Sequence, residues 1–249
     1  MFKEGAYVYL WRLILTMIEL IHKVPIVTTL FSGYFFVILY NHWNAKGRPS
    51  YLFWWTLGVL FYGLGTLTES LVGLFNWSEP VFKAWYILGA LLGGFPLAQG
   101  SVYLMFSKRT GDIMGGIVVI VIIITSVLII LSPIHYELVE PTRLTGHVLA
   151  WSKLRLVTPF VNIYAFIFLV GGAFYSAWRY SKDKVYRNRF LGNLFIACGG
   201  LLPGIGGSFT KFGYTEVLYI TELMGLSLIY LGYVTIKRDS TLSIYSVQA

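Results

Sequence analysis

Two glutamates stand in stretches that are otherwise apolar enough for lipid. Glu69 closes the run "FWWTLGVLFYGLGTLTES" (53–70), and Glu222 lies within "VLYITELMGLSLIYLGYVTI" (217–236). The desolvation of a carboxylate in hydrocarbon must be compensated, so an acid at such a depth marks a candidate site. Two acids brought together there could bind a cation, carry a proton, or accept hydrogen bonds from a ligand headgroup. Helical spacing puts Trp55, Tyr62, Thr66 and Glu69 on one bulky, aromatic face. It puts Glu222, Gly225, Ile229 and Gly232 on a shallower one. A plainer reading pairs each acid with a lysine at the interface. Lys83 follows Glu69 across a short loop, and Lys211 precedes Glu222 in the same way.

These acids need elements to hold them, and composition says which kind. Of 249 residues, 57% are hydrophobic and 12% charged, with a mean hydropathy of +0.70. A soluble domain carries about 25% charged residues, so this chain lacks the polar surface to coat a globule. The expectation is an all-α integral membrane protein of the cell membrane, a seven-helix bundle. A crossing helix needs about 20 apolar residues. The stretches that qualify are Pro25 to His42, Tyr51 to Phe75, Phe82 to Phe106, Ile113 to Leu131, Leu156 to Trp178, Phe190 to Thr210 and Val217 to Ile236. Tyr7 to Ile21 is too short to cross. Its polar residues Arg12, Thr16, Glu19 and Lys23 form one stripe, which predicts an amphipathic helix lying on the membrane surface over 1–24. Residues 239–249 are read as a cytoplasmic tail.

Loop charge sets the orientation. One side collects eleven lysines and arginines against eight on the other, with "RYSKDKVYRNR" between spans five and six the densest cluster. By the positive-inside rule that side is cytoplasmic, which leaves the N-terminus outside and the C-terminus inside. The net charge of +8 is therefore spread over short loops that orient the chain and touch anionic headgroups. It forms no nucleic-acid surface. The longest exterior connection, "SPIHYELVEPTRLTGHVLAWSKLR", is punctuated by Pro133, Pro141 and Gly146 and reads as a partly ordered cap within one membrane domain, 25–238.

Span six, "FLGNLFIACGGLLPGIGGSFTKFG", is rich in glycine and holds Pro203. Pro203 and Gly204 are the candidate hinge of a broken helix, whose loosened backbone would need partners inside the bilayer. The alternative is close packing through Gly200, Gly204 and Gly207. Span three shares the pattern in Gly89, Gly93, Pro96 and Gly100, and Gln99 near its inner end is the expected hydrogen-bonder between helices.

Several chemistries are excluded. His22, His42, His135 and His147 all lie away from the middle of a span, so a buried haem has no pair of axial ligands. No HExxH, GxSxG or P-loop spacing occurs. The helix number and exterior N-terminus resemble the rhodopsins in topology alone, since span seven has no lysine before Lys237 to hold retinal. The leading expectation is a non-catalytic accessory, assembly or sensory subunit. It would contact a membrane-protein partner, a second copy of itself, or a lipophilic ligand such as a quinone, carotenoid or lipid tail. Aromatic residues, 18% of the chain, suit such clefts. The alternative is a small transporter or proton-coupled carrier that uses Glu69 and Glu222.

Overall fold

The structure, a computed structural model, describes residues 20–210 and 212–247, with side chains through 238. The surface helix expected over 1–24 falls almost wholly outside the described residues, and Lys211 does so entirely. Within them the fold is all-α. Its only β-type pairings are two isolated bridges, Ile134 with Leu149 and Glu140 with Arg143. Seven helical stretches are long and apolar enough to cross a membrane.

The first span is α1, Val24–Ala45, opened by Pro25 in its first turn, where a missing N–H costs nothing. Gly47 and Arg48, both at positive φ, and the extended Pro49 turn the chain into α2, Ser50–Phe75, the second span. Lys108–Leu131 forms α5, the fourth span, capped by Ser107 Oγ accepting from the Thr110 N–H at 3.2 Å. Its Ile113, Ile117, Ile120 and Ile124 are all more than half exposed, so α5 lies at the edge of the bundle. The sixth and seventh spans are α8, Arg187–Thr210, and α9, Thr215–Val247. The segment read from sequence as a tail continues α9 as helix to Val247.

The third span is discontinuous. It begins as α3, Glu79–Trp85, widens into a π-helical turn over Tyr86–Leu91, bends at 92–94 and resumes as α4, Phe95–Met105. Pro96 has no N–H to offer the carbonyl one turn back, and Gly93 and Gly94 have little helix propensity to bridge the fault. The Leu92 N–H instead reaches Ile87 O at 2.9 Å. The fifth span, α6 (Val157–Ala165) and α7 (Gly172–Tyr180), is continuous through a π turn at Phe166–Gly171.

Span six corrects its sequence reading. Helix α8 runs unbroken through Pro203, so the chain breaks in span three and not at Pro203 and Gly204. The close-packed face is also a different one. A Cβ on Gly199 would lie 2.6 Å from Gly225 O, and one on Gly192 would lie 2.8 Å from Gly232 O. Gly206 meets Leu218 Cα at 2.8 Å in the same sense. Of the three glycines read from sequence as the packing face, Gly200 does pack closely, a Cβ there lying 3.0 Å from Leu169 of the fifth span, while Gly204 and Gly207 face open space. Helices α8 and α9 therefore touch backbone to backbone along a seam repeating every seventh residue, the approach that small residues permit in lipid.

The core is built where α1, α2, α4 and α9 converge. Phe35, Leu39, Val59, Leu97, Leu226 and Ile229 are fully buried there. Gln99 of α4 is 0% exposed and faces the fourth and fifth spans. Its Nε2 donates to Gly111 O at 2.8 Å and its Oε1 accepts from the Tyr164 hydroxyl at 2.5 Å, which joins the third, fourth and fifth spans as expected.

The connection 132–156 folds over one end of the bundle as the cap. Leu144, Val148 and Leu149 are buried against Phe82 and Tyr86 of the third span. The Trp77 N–H donates to Pro141 O at 2.8 Å, and Arg143 Nη2 donates to Thr210 O at 2.8 Å. The cap thus rests on the ends of the second, third and sixth spans.

Candidate functional site

Glu69 stands six residues before the end of α2, and Glu222 seven residues into α9. At 1.5 Å per residue both lie about 10 Å from the cap-side ends of their helices. The structure brings them together: the two side chains lie within electrostatic range of one another. Neither Oε2 reaches any protein donor, and both are shut off from solvent. Glu69 as a whole is 4% exposed. Two buried carboxylates this near repel one another, and a single proton held between them relieves that repulsion and supplies the donor they lack.

The second oxygen of Glu69 is held by the third span. The Trp85 indole N–H donates to Glu69 Oε1 at 3.0 Å. This reach depends on Gly65 and Gly89, which touch at the crossing of the two antiparallel helices, where a Cβ on Gly65 would lie 3.0 Å from Gly89 Cα. Glu69 is four residues after Gly65 and Trp85 four residues before Gly89. One turn toward the cap from that crossing, the two side chains must therefore face each other.

The same geometry overturns the pairing of Glu69 with Lys83. Two residues on a helix are about 200° apart, so with Trp85 turned to α2, Lys83 points the other way. Its ammonium donates to Glu79 Oε1 at 2.6 Å and to Ile130 O at 2.8 Å at the end of α5. Lys211, the lysine proposed for Glu222, lies outside the described residues.

Tyr62 and Thr66 support the site from α2 without touching its carboxyls. The Tyr62 hydroxyl donates to the backbone oxygen of Glu222 at 2.8 Å and so ties α2 to α9 at the level of the pair. Thr66 is buried and turned toward α1, its Oγ1 lying 2.9 Å from Thr29 Oγ1.

Four residues at or near the pair were not assigned to it from sequence: Trp85, Tyr219, His22 and Glu216. Tyr219, 4% exposed, lies within electrostatic range of Glu69, Glu222 and Glu216. Its ring meets the His22 ring edge-on at a centroid distance of 5.9 Å, and His22 Nε2 lies 3.9 Å from Glu216 Oε1. The spacing of Glu216, Tyr219 and Glu222, three residues apart on one helix, was the available signal. Trp85 had none without the Gly65–Gly89 crossing.

Among the described residues, no group of three or more His, Cys, Asp or Glu side chains is placed to hold a metal ion. A separate groove of about 590 Å³ runs along the outer side of α3, lined by Glu79, Pro80, Lys83, Ala84, Ile87, Leu88 and Ile130. Comparison with protein families, with curated proteins and with solved structures returns no match for this chain.

Proposed function

We propose that this chain is a small proton-coupled carrier of the cell membrane, with Glu69 and Glu222 as its proton-binding pair. The observation that supports it best is that two buried carboxyls lie within electrostatic range of one another, with Lys83 turned away to Glu79. With Lys83 committed to Glu79 and Ile130 O, the acids balance their burial in this reading by holding a proton between them. The pair is fastened through Trp85 to the discontinuous third span, whose weak point at 92–94 gives protonation something to move. In this reading the cap side faces the exterior and the basic loops the cytoplasm. The protein carries out no covalent chemistry. The test uses proteoliposomes with a trapped pH indicator and alkali cations or small organic ions supplied in turn. Proton movement driven by one of these cargoes, abolished by Glu69→Gln and by Glu222→Gln, supports the carrier. Equal proton movement in wild type and both variants overturns it.

A second reading, a non-catalytic subunit that holds a lipophilic ligand, draws on the groove beside α3. Pro80, Ala84, Ile87, Leu88 and Ile130 offer an apolar wall, and Glu79 with Lys83 a polar rim, suited to a lipid chain with its headgroup at the interface. Native mass spectrometry of gently extracted protein tests it. A retained lipid, quinone or carotenoid, or a stable partner, favours this reading. A bare chain counts against it.

A further inference from the structure

The carrier reading leaves open how a proton reaches a pair that no solvent touches. The cap side of α9 bears on this. Glu216, Tyr219 and Glu222 follow one another at intervals of three residues, about 4.5 Å of rise and 60° of turn each, so Tyr219 stands between the other two in both height and direction. Glu216 is the outermost, its side chain 36% exposed, beside His22 at 31%. Tyr219 comes next, buried, its ring against the His22 imidazole and its phenol within electrostatic range of Glu216 above and of both pair members below. Glu222 follows, within electrostatic range of Glu69.

Other neighbours offer no such path. Trp85 donates its one polar hydrogen to Glu69. Tyr62 has committed its hydroxyl to the Glu222 backbone oxygen. Lys83 faces Glu79 and α5. Tyr219 is the titratable side chain that stands between the exposed groups and the pair. A phenol is suited to the step, because it can give its proton on one side while taking one on the other.

We infer that His22, Glu216 and Tyr219 form the cap-side proton route to the Glu69–Glu222 pair, with Tyr219 as the relay between surface and pair. The inference rests on the carrier reading of that pair. In the step, a proton from water is taken up by the His22 imidazole or the Glu216 carboxylate. The Tyr219 phenol passes its own hydrogen to the carboxylate of the pair and receives the surface proton in exchange, so Tyr219 ends as it began. One proton leaves water and one is bound between Glu69 and Glu222. No net charge stays on the tyrosine.

The test uses full-length protein reconstituted in one orientation into liposomes. The pH is jumped on one side at a time while the infrared carbonyl band of protonated carboxylic acid is followed. The route requires the band to answer a jump on the cap side. It requires Tyr219→Phe, which keeps the ring and removes the hydroxyl, to slow that answer at least tenfold (roughly 1.4 kcal/mol in the barrier). The rate, and not the final amplitude, is what this variant changes. His22→Gln, at a partly exposed position that folding tolerates, should slow the answer by a smaller factor. A wild-type rate in Tyr219→Phe overturns the route, as does a band that follows the pH of the opposite side. A band already insensitive to Glu222→Gln overturns the proton-holding pair itself, so the two failures are distinguishable.

Discussion

Replacing Glu69 by glutamine asks whether the pair holds a proton. At a separation of about 4 Å and an effective dielectric constant of about 20, two carboxylate charges would repel by about 4 kcal/mol. That exceeds the roughly 1.5–3 kcal/mol of a charge-assisted hydrogen bond, so the unprotonated pair is not a stable partner for the fold. Glutamine keeps the shape and the oxygen that accepts from Trp85, and its amide donates to Glu222 without a shared proton. Glu69→Gln should therefore unfold within about 1 kcal/mol of wild type in a mild detergent. Glu69→Ala, which leaves the indole and Glu222 unpartnered, should lose roughly 2–4 kcal/mol. The decisive assay is the infrared difference spectrum between high and low pH. Wild type should show a protonated-carboxyl band that Glu69→Gln removes or shifts. The reasoning is refuted if Glu69→Gln and wild type give identical bands, or if glutamine destabilises as much as alanine.

Other expectations follow from single contacts. Gly199→Val places methyl groups against the Gly225 carbonyl, where a Cβ alone already lies at 2.6 Å. It should cost at least about 1–3 kcal/mol of thermal stability, while Gly204→Val, facing open space, should cost under about 1 kcal/mol; equal losses would refute the seam. Gln99→Leu strands the Tyr164 hydroxyl and should lose about 1–2 kcal/mol, with a double-mutant cycle against Tyr164→Phe giving a coupling near 1 kcal/mol. In the cap, Tyr136 donates to Glu79, and that hydrogen bond holds its phenol above the ordinary tyrosine value of 10.0. Because the folded state favours the protonated phenol, this contribution is intact below the ordinary value and lost as pH rises through the raised one. Tyr136→Phe should flatten that part of the alkaline unfolding curve, and an unchanged curve would count against the contact.

The membrane character of this chain was legible from residue order alone. Twenty-residue apolar runs are set by hydrocarbon thickness and helix rise, which are local quantities, and the described spans begin and end within a few residues of those runs. The depth of Glu69 and Glu222 was legible for the same reason, because depth is a count along a helix. The partner of each acid was not. That Glu69 meets Trp85 and Glu222, and not Lys83, depends on where α2 crosses the third span at Gly65 and Gly89 and on which way α3 is rotated there. Glycine content alone misplaced the break as well. Pro203 sits in a helix braced along its length by α9, whereas Pro96 comes just after Gly93 and Gly94, in a span that widens into a π turn where it crosses α2. Rotation, crossing and bracing are properties of pairs of helices, and a pattern within one helix does not contain them.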